Sequence, residues 1–335
     1  MTRRGLALLG LLPLLGGCSS DMSALSPGGP VASRIADLFW MFFALACVVW
    51  VLVMLALAYA LLRRRRAVAA LPVDDPPGES GARGVIYVLI ALTAVIVSAL
   101  SILSFLTGRS LASLGGSDPI EIEIVGQQWW WKVTYTSPAP SLTLTSANDI
   151  HVPAGRPVRL VLKSRDVIHS FWIPEIAGKR DLIPGQTNAL DIMVSSPGEY
   201  RGQCAEFCGF QHAHMRLVLI AQKPEEFDAW YSAQLKPAPP PQSEAAKQGQ
   251  QAFLTKGCVM CHQISGTPAK GQIGPDLTHV ASRTGIAANT LPMTRGALAA
   301  WVADPQSIKP GTKMPRVDLT ADELNFIVDY LEQLK

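Results

Sequence analysis

Charge is scarce in this chain. Only 16% of its 335 residues are Asp, Glu, Lys or Arg, against 49% hydrophobic, and the net charge is +3. No long basic stretch carries interleaved aromatics, which argues against nucleic acid as a partner. So apolar a balance points instead to membrane segments. Cysteine is also sparse, and the six present do not make the spaced set of a disulfide framework. No internal repeat is visible, which argues against a propeller or solenoid. A many-helix core with intramembrane histidines is missing too. The length suggests two or three compact domains.

The basic residues that do occur are concentrated in Arg63-Arg64-Arg65-Arg66, directly after an apolar run. Two apolar segments, about 38–62 and 85–106, are each long enough for the roughly 20 residues of a membrane-spanning helix. The loop between them holds the four arginines and the breakers Pro72, Pro76, Pro77 and Gly78. The positive-inside rule puts that loop in the cytoplasm and everything after Gly108 outside. The expected location is therefore a bacterial inner (cell) membrane, crossed twice, with lipid around the hairpin. At the N-terminus, Arg3 and Arg4, the run Leu6 to Leu15 and then small residues have the layout of a secretory signal. Leu15-Gly16-Gly17-Cys18 resembles a lipoprotein box with Cys18 acylated; an ordinary signal with an incidental cysteine is the alternative. Cys47, inside an apolar run, reads as a small buried hydrophobe.

The expected divisions are a signal and lipobox at 1–18, a hairpin at 19–110, a β-rich domain at 115–223, a helical end and Pro-rich linker at 224–242, and a helical domain at 243–335. In the β-rich part, short alternating runs such as Ile120-Glu-Ile-Glu-Ile124, Trp131 to Tyr135, Val158 to Leu162, Leu190 to Val194 and Arg216 to Ile220 predict a small β-sandwich or barrel. Pro237 to Pro241 reads as a stiff extended linker.

Two motifs carry chemistry. The first is Cys204-Ala-Glu-Phe-Cys208-Gly-Phe-Gln-His212-Ala-His-Met215, with a remote His169 in Asp166-Val-Ile-His169. Soft thiolates and imidazole suit copper or zinc, and a thioether disfavours zinc. Gly202 and Gly209 around the cysteines argue for a loop, and His169 falls between predicted strands. A disulfide between Cys204 and Cys208 is the plain alternative. The second motif is Cys258-Val-Met-Cys261-His262, the spacing of covalent haem attachment. His262 then binds the iron on one side, and a downstream methionine is expected on the other. Met314, in Gly-Thr-Lys-Met-Pro, is favoured over Met293. Thr320-Ala-Asp-Glu323 is a capping box opening a last helix with Leu324, Ile327, Val328, Leu331 and Leu334 on one face. His151, His214 and His279 read as structural or exposed.

With these residues in view, the chain resembles subunit II of haem–copper oxidases, in the form fused to cytochrome c, the caa3 type. The resemblance runs nearly end to end: a transmembrane α-helical hairpin, a cupredoxin-like β-sandwich or barrel, then an all-α class I cytochrome c. It implies a binuclear copper centre, CuA, bridged by Cys204 and Cys208. His169 and His212 would be terminal ligands, with Met215 and the Glu206 carbonyl as weaker ones. It also implies a Mg²⁺ near the Glu206 carboxylate, and electrons entering through Trp129 in Gly126-Gln-Gln-Trp129-Trp-Trp. Ile273-Gly-Pro275-Asp-Leu277 resembles the segment whose proline carbonyl orients the haem histidine, and Gly249 and Phe253 sit as in cytochrome c. The expected partners are oxidase subunits I and III and an external cytochrome or other donor. In the family a Glu often stands near the start of the second helix; here Arg83 lies near that place and Glu79 four residues earlier, so neither is assigned to proton uptake. A nitric-oxide reductase-type complex and a copper or haem assembly module are the alternative functions.

Overall fold

The computed structural model describes residues 22–67, 79–111 and 118–335. Cys18 and the signal segment lie outside them. The chain divides into two units, one spanning 33–113 and the other the rest.

The first unit is a pair of helices, α1 (Pro30–Ala67) and α2 (Glu79–Leu111). Both run past the apolar stretches read from the sequence, because polar residues at the ends continue the same hydrogen-bond ladder. Each is long and apolar enough to cross a membrane. Arg34, near the start of α1, donates to the Ser110 hydroxyl near the end of α2 at 3.0 Å, so the two form an antiparallel hairpin. Thr93 and Ser101 return their hydroxyls to the carbonyls of Leu89 and Val97, so neither hydroxyl is left as a free donor on the apolar helix. Large side chains such as Trp50, Leu52 and Phe105 point outward. Cys47 is exposed, not buried as expected; a helix in a two-helix hairpin has too few neighbours to cover every face.

The second unit begins with two five-stranded sheets. One has the order β3 (Leu144–Ala147), β2 (Trp130–Tyr135), β1 (Ile120–Gln127), β5 (Val158–Ser164), β8 (Asn188–Ile192). The other has β4 (Asp149–Pro153), β10 (Arg216–Gln222), β9 (Gly198–Cys204), β6 (His169–Trp172), β7 (Arg180–Leu182). Alternation explains β1: Ile122 and Ile124 are fully buried, while Glu123 faces out to Lys163 of β5 at 2.5 Å. Burying such an isoleucine contributes about 1.5–3 kcal/mol. Helix α3 (Pro224–Gln234) then closes one end, with Trp230 and Tyr231 edge-on to Tyr135.

The proline segment 237–241 does not stand free. The Ala238 amide donates to the Ser265 carbonyl at 3.0 Å. Beyond it, α4 (Glu244–Thr255) is capped by Ser243, and α7 (Ala321–Leu331) by the Thr320/Glu323 box. These two helices cross at Gly249, where a Cβ would lie 1.8 Å from the Phe326 carbonyl oxygen. Only glycine lets the backbones approach so closely. Ile327, Val328, Leu331 and Leu334 are buried against Phe253 and its neighbours, as the stripe predicted. Shorter helices α5 (Arg295–Ala303) and α6 (Pro305–Ile308) and the two-residue strands β11 (Gly285–Ile286) and β12 (Leu291–Pro292) complete this part.

Candidate functional site

The fold gathers the first motif at one end of two adjacent interior strands of the second sheet, β6 and β9. His169 is the first residue of β6 and Cys204 the last of β9, so both stand on strands, not in loops as expected. β6 is only four residues long and buried nearly throughout, and β9 alternates poorly and carries a glycine, which hid them. Cys208, His212 and Met215 follow on the connection to β10. The Cys204 and Cys208 sulfurs are 3.8 Å apart, far beyond the roughly 2.05 Å of a disulfide. His169 Nδ1 lies 3.9 Å from Cys204 Sγ, and His212 Nδ1 lies 3.7 Å from Cys208 Sγ. Met215 Sδ is 3.9 Å from Cys208 Sγ, and the Glu206 carbonyl oxygen is 3.2 Å from Cys204 Sγ. The ligating atoms of His169, Cys204 and Cys208 all fall within 4.8 Å of one another.

This donor set fits copper. Two thiolates, two imidazoles and a thioether are the soft and intermediate ligands that copper takes. The supporting contacts fit as well. His169 Nε2 meets the Asp166 carboxylate at 2.9 Å, which fixes the ring and turns the Nδ1 lone pair toward the sulfurs. Burial pulls the His169 imidazolium down, but Asp166 and Cys204 outweigh it and the net direction is up. Burial would raise Asp166; bonds from His169, the Gln128 amide, Lys313 and the Val167 amide hold its carboxyl far below the usual range. The two thiols share one proton's worth of interaction: the Cys208 contact drives Cys204 down, and the same contact drives Cys208 up.

Trp129 is tied to this cluster. Its indole N–H donates to the Cys208 carbonyl at 2.9 Å, alongside the Gln128 amide at 2.8 Å. Gly209, with φ +113, leaves room for the ring, since a Cβ would sit 3.1 Å from Trp129 Cζ2. Trp129 is only 6% exposed. The Glu206 carboxylate turns outward to Lys179 at 3.2 Å.

The second motif occupies a short turn, Cys258–Met260, after α4. His262 Nδ1 donates to the Pro275 carbonyl at 2.8 Å, leaving Nε2 as the free acceptor. Burial pushes the ring toward its neutral form, opposed in part by that carbonyl. Gly274 packs flat on the imidazole: a Cβ there would meet Cε1 at 2.7 Å. The neutral ring, its set tautomer and the two adjacent free thiols fit a covalently attached haem. Met293 packs on the apolar cluster of this domain. Met314 is half-buried in a loop pinned by Gln306, which donates to the Thr312 and Met314 carbonyls, both at 2.8 Å. His151 stacks on Trp230 at 3.9 Å, His214 bonds Gln211, and His279 lies half-buried against the Lys236 and Lys335 carbonyls. Asp166 and Gln128 escaped the sequence reading as partners, since a lone carboxylate or amide has no spacing signal.

Residues 138–222 match the family described as cytochrome C oxidase subunit II, periplasmic domain, and residues 246–335 match cytochrome c. Cytochrome c oxidase subunit 2 of Alkalihalophilus pseudofirmus is 31% identical over 342 residues, covering 99% of this chain and 97% of its own. The protein of the same name in Bacillus subtilis is 29% identical over 353 residues, covering 99% and 98%. Among solved structures, the periplasmic domain of subunit II of cytochrome oxidase of Bradyrhizobium japonicum matches with TM-score 0.34 and 26% identity, over 36% of this chain and 96% of that one. The matched families imply copper and haem c as cofactors and other oxidase subunits as partners. The chain belongs to the cytochrome c oxidase subunit 2 family and carries a cytochrome c domain at its C-terminal end.

Proposed function

We propose that this chain passes electrons from an external cytochrome or other donor, through its C-terminal haem-binding half and then its copper-binding half, to haem in oxidase subunit I, where dioxygen is reduced and protons are pumped. Cys204 and Cys208 would bridge a binuclear CuA, with His169 and His212 binding through Nδ1 and Met215 and the Glu206 carbonyl completing the set. Cys258 and Cys261 would form the haem thioethers, and His262 and Met314 would be the axial ligands. Bound there, the two groups supply reversible one-electron chemistry. Asp166 and Pro275 hold the two histidines with the correct nitrogen free, and burial keeps water from the sulfurs. The Glu206 carboxylate, beside Lys179, is the group offered for Mg²⁺ at the contact with subunit I. The setting is the outer face of a bacterial inner membrane, with subunit III a further neighbour.

The observation that carries this reading is the pair of sulfurs 3.8 Å apart, flanked on each side by an imidazole Nδ1. That spacing is too long for a bond and suits two ions held in common. The test is metal analysis with optical and electron paramagnetic resonance spectra on the full chain after copper loading. Two coppers and one haem per chain, with one unpaired electron shared by both coppers, are expected. One haem without copper, or a Cys204–Cys208 disulfide under reducing, copper-replete conditions, would overturn it.

A further inference from the structure

Lysine is almost never fully buried unless paired, yet Lys309 is 2% exposed. Its amine meets three backbone carbonyls: Trp129 at 2.8 Å, His214 at 2.7 Å and Ala287 at 3.0 Å. An ammonium has three donors and no acceptor, so this set is saturated. Two of the carbonyls belong to the β-sandwich; the third belongs to the C-terminal domain, as Lys309 does. The side chain therefore crosses the seam between the two candidate sites. Burial pushes the amine down to about 7, and three carbonyl dipoles are what the fold sets against that cost.

The residues after Lys309 continue the contact. The Pro310 carbonyl accepts from Gln211 at 2.9 Å, and Lys313 pairs with Asp166 at 3.0 Å. Between them Gly311, with φ +84, lies over the indole of Trp129, where its Cβ would come within 3.5 Å of Cη2. Further along the seam, Asp149 accepts from the Thr284 amide at 2.7 Å and from its hydroxyl at 2.9 Å. One loop thus runs from Lys309, across Trp129, to Met314.

We propose that Lys309 is a positioning residue, a buried bolt that fixes the C-terminal domain against the Trp129 edge. The occupant of that edge is then this chain's own Met314-bearing loop. Its effect on electron transfer rests on the function proposed above; the docking does not.

The test uses the full chain in its membrane complex. In the unmodified protein a water-soluble acylating reagent should label Lys313, whose side chain is 58% exposed, and spare Lys309. Lys309→Met keeps the length and removes the donors. Haem and copper spectra should stay as they are, while amides in 128–131 and 284–290 exchange faster. Transfer from photoreduced haem to copper within the chain should slow roughly tenfold or more, since small misplacements are costly. Equal labelling of Lys309 and Lys313 in the unmodified chain overturns the proposal, and so does a Lys309→Met chain with unchanged exchange and transfer rates. If that variant takes up no haem, labelling of the unmodified chain decides. A chain that binds no copper sinks the function above, and labelling and exchange still judge the bolt.

Discussion

The sulfur cluster draws His169 from β6, Cys204 from the end of β9, and Cys208, His212 and Met215 from a single connection. The haem motif takes Cys258, Cys261 and His262 from one turn after α4. Their burial differs in the same sense. Cys204 and Cys208 are 2% and 3% exposed and His169 is fully enclosed, whereas Cys258 and Cys261 are only half-buried. A site assembled from distant strands must be finished by the protein, sulfur by sulfur, before a small ion can use it. A site for a large covalent group leaves part of its enclosure to that group. The first is a cage and the second an anchor with one oriented imidazole.

That contrast can be broken most severely at the cage. Cys204→Ser or Cys208→Ser should abolish the shared-copper resonance while leaving the haem absorbance intact; loss of both signals together would mean the two sites are not independent. Next in size is the choice of the second haem ligand. Met314→Leu should lower the haem reduction potential, because Met/His ligation raises it, and Met293→Leu should leave the potential where it was. A potentiometric titration that moved with Met293 instead would reverse the assignment.

A smaller effect is expected from Gly249→Val, which puts atoms where the Phe326 carbonyl already stands. Overpacking of this kind costs about 1–3 kcal/mol, and calorimetry should show it in the melting of the C-terminal domain while copper content stays the same. The smallest is a pH effect at Asp166, whose folded-state carboxyl sits below its ordinary value. A depressed carboxylate contributes fully above the unfolded value of about 3.9 and is lost as pH falls beneath it. In the metal-free chain, amide protection across the Asp166–Lys313 contact, taken relative to the intrinsic exchange rate at each pH, should therefore be flat from neutral pH to about pH 4 and fall below that. Asp166→Asn should remove this acid step.

The legible parts of this molecule share one property: a short-range pattern. The apolar runs in α1 and α2, the alternation in β1, the capping box at Thr320 and the cysteine spacings could all be read within a few residues. Strands β6 and β9 could not. His169-Ser-Phe-Trp172 is short and buried on both faces, so it shows no alternation, and Gly202 in β9 signals a loop although it is there for packing: a Cβ would sit 2.6 Å from the Trp172 carbonyl oxygen. Cys47 was misjudged because an apolar setting in the sequence does not say whether protein or lipid covers the side chain.

By itself the sequence determined the kinds of ligand present, their spacing, the two long apolar helices and the order of the parts, since each depends on residue type and local period. Tertiary structure alone decided that His169 meets Cys204, that Asp166 orients it, and that Trp129 lies beneath the loop of Met314. It also decided the burial of Lys309, which nothing local foretells, because this lysine goes inside where carbonyls from three separate segments converge on its three N–H groups.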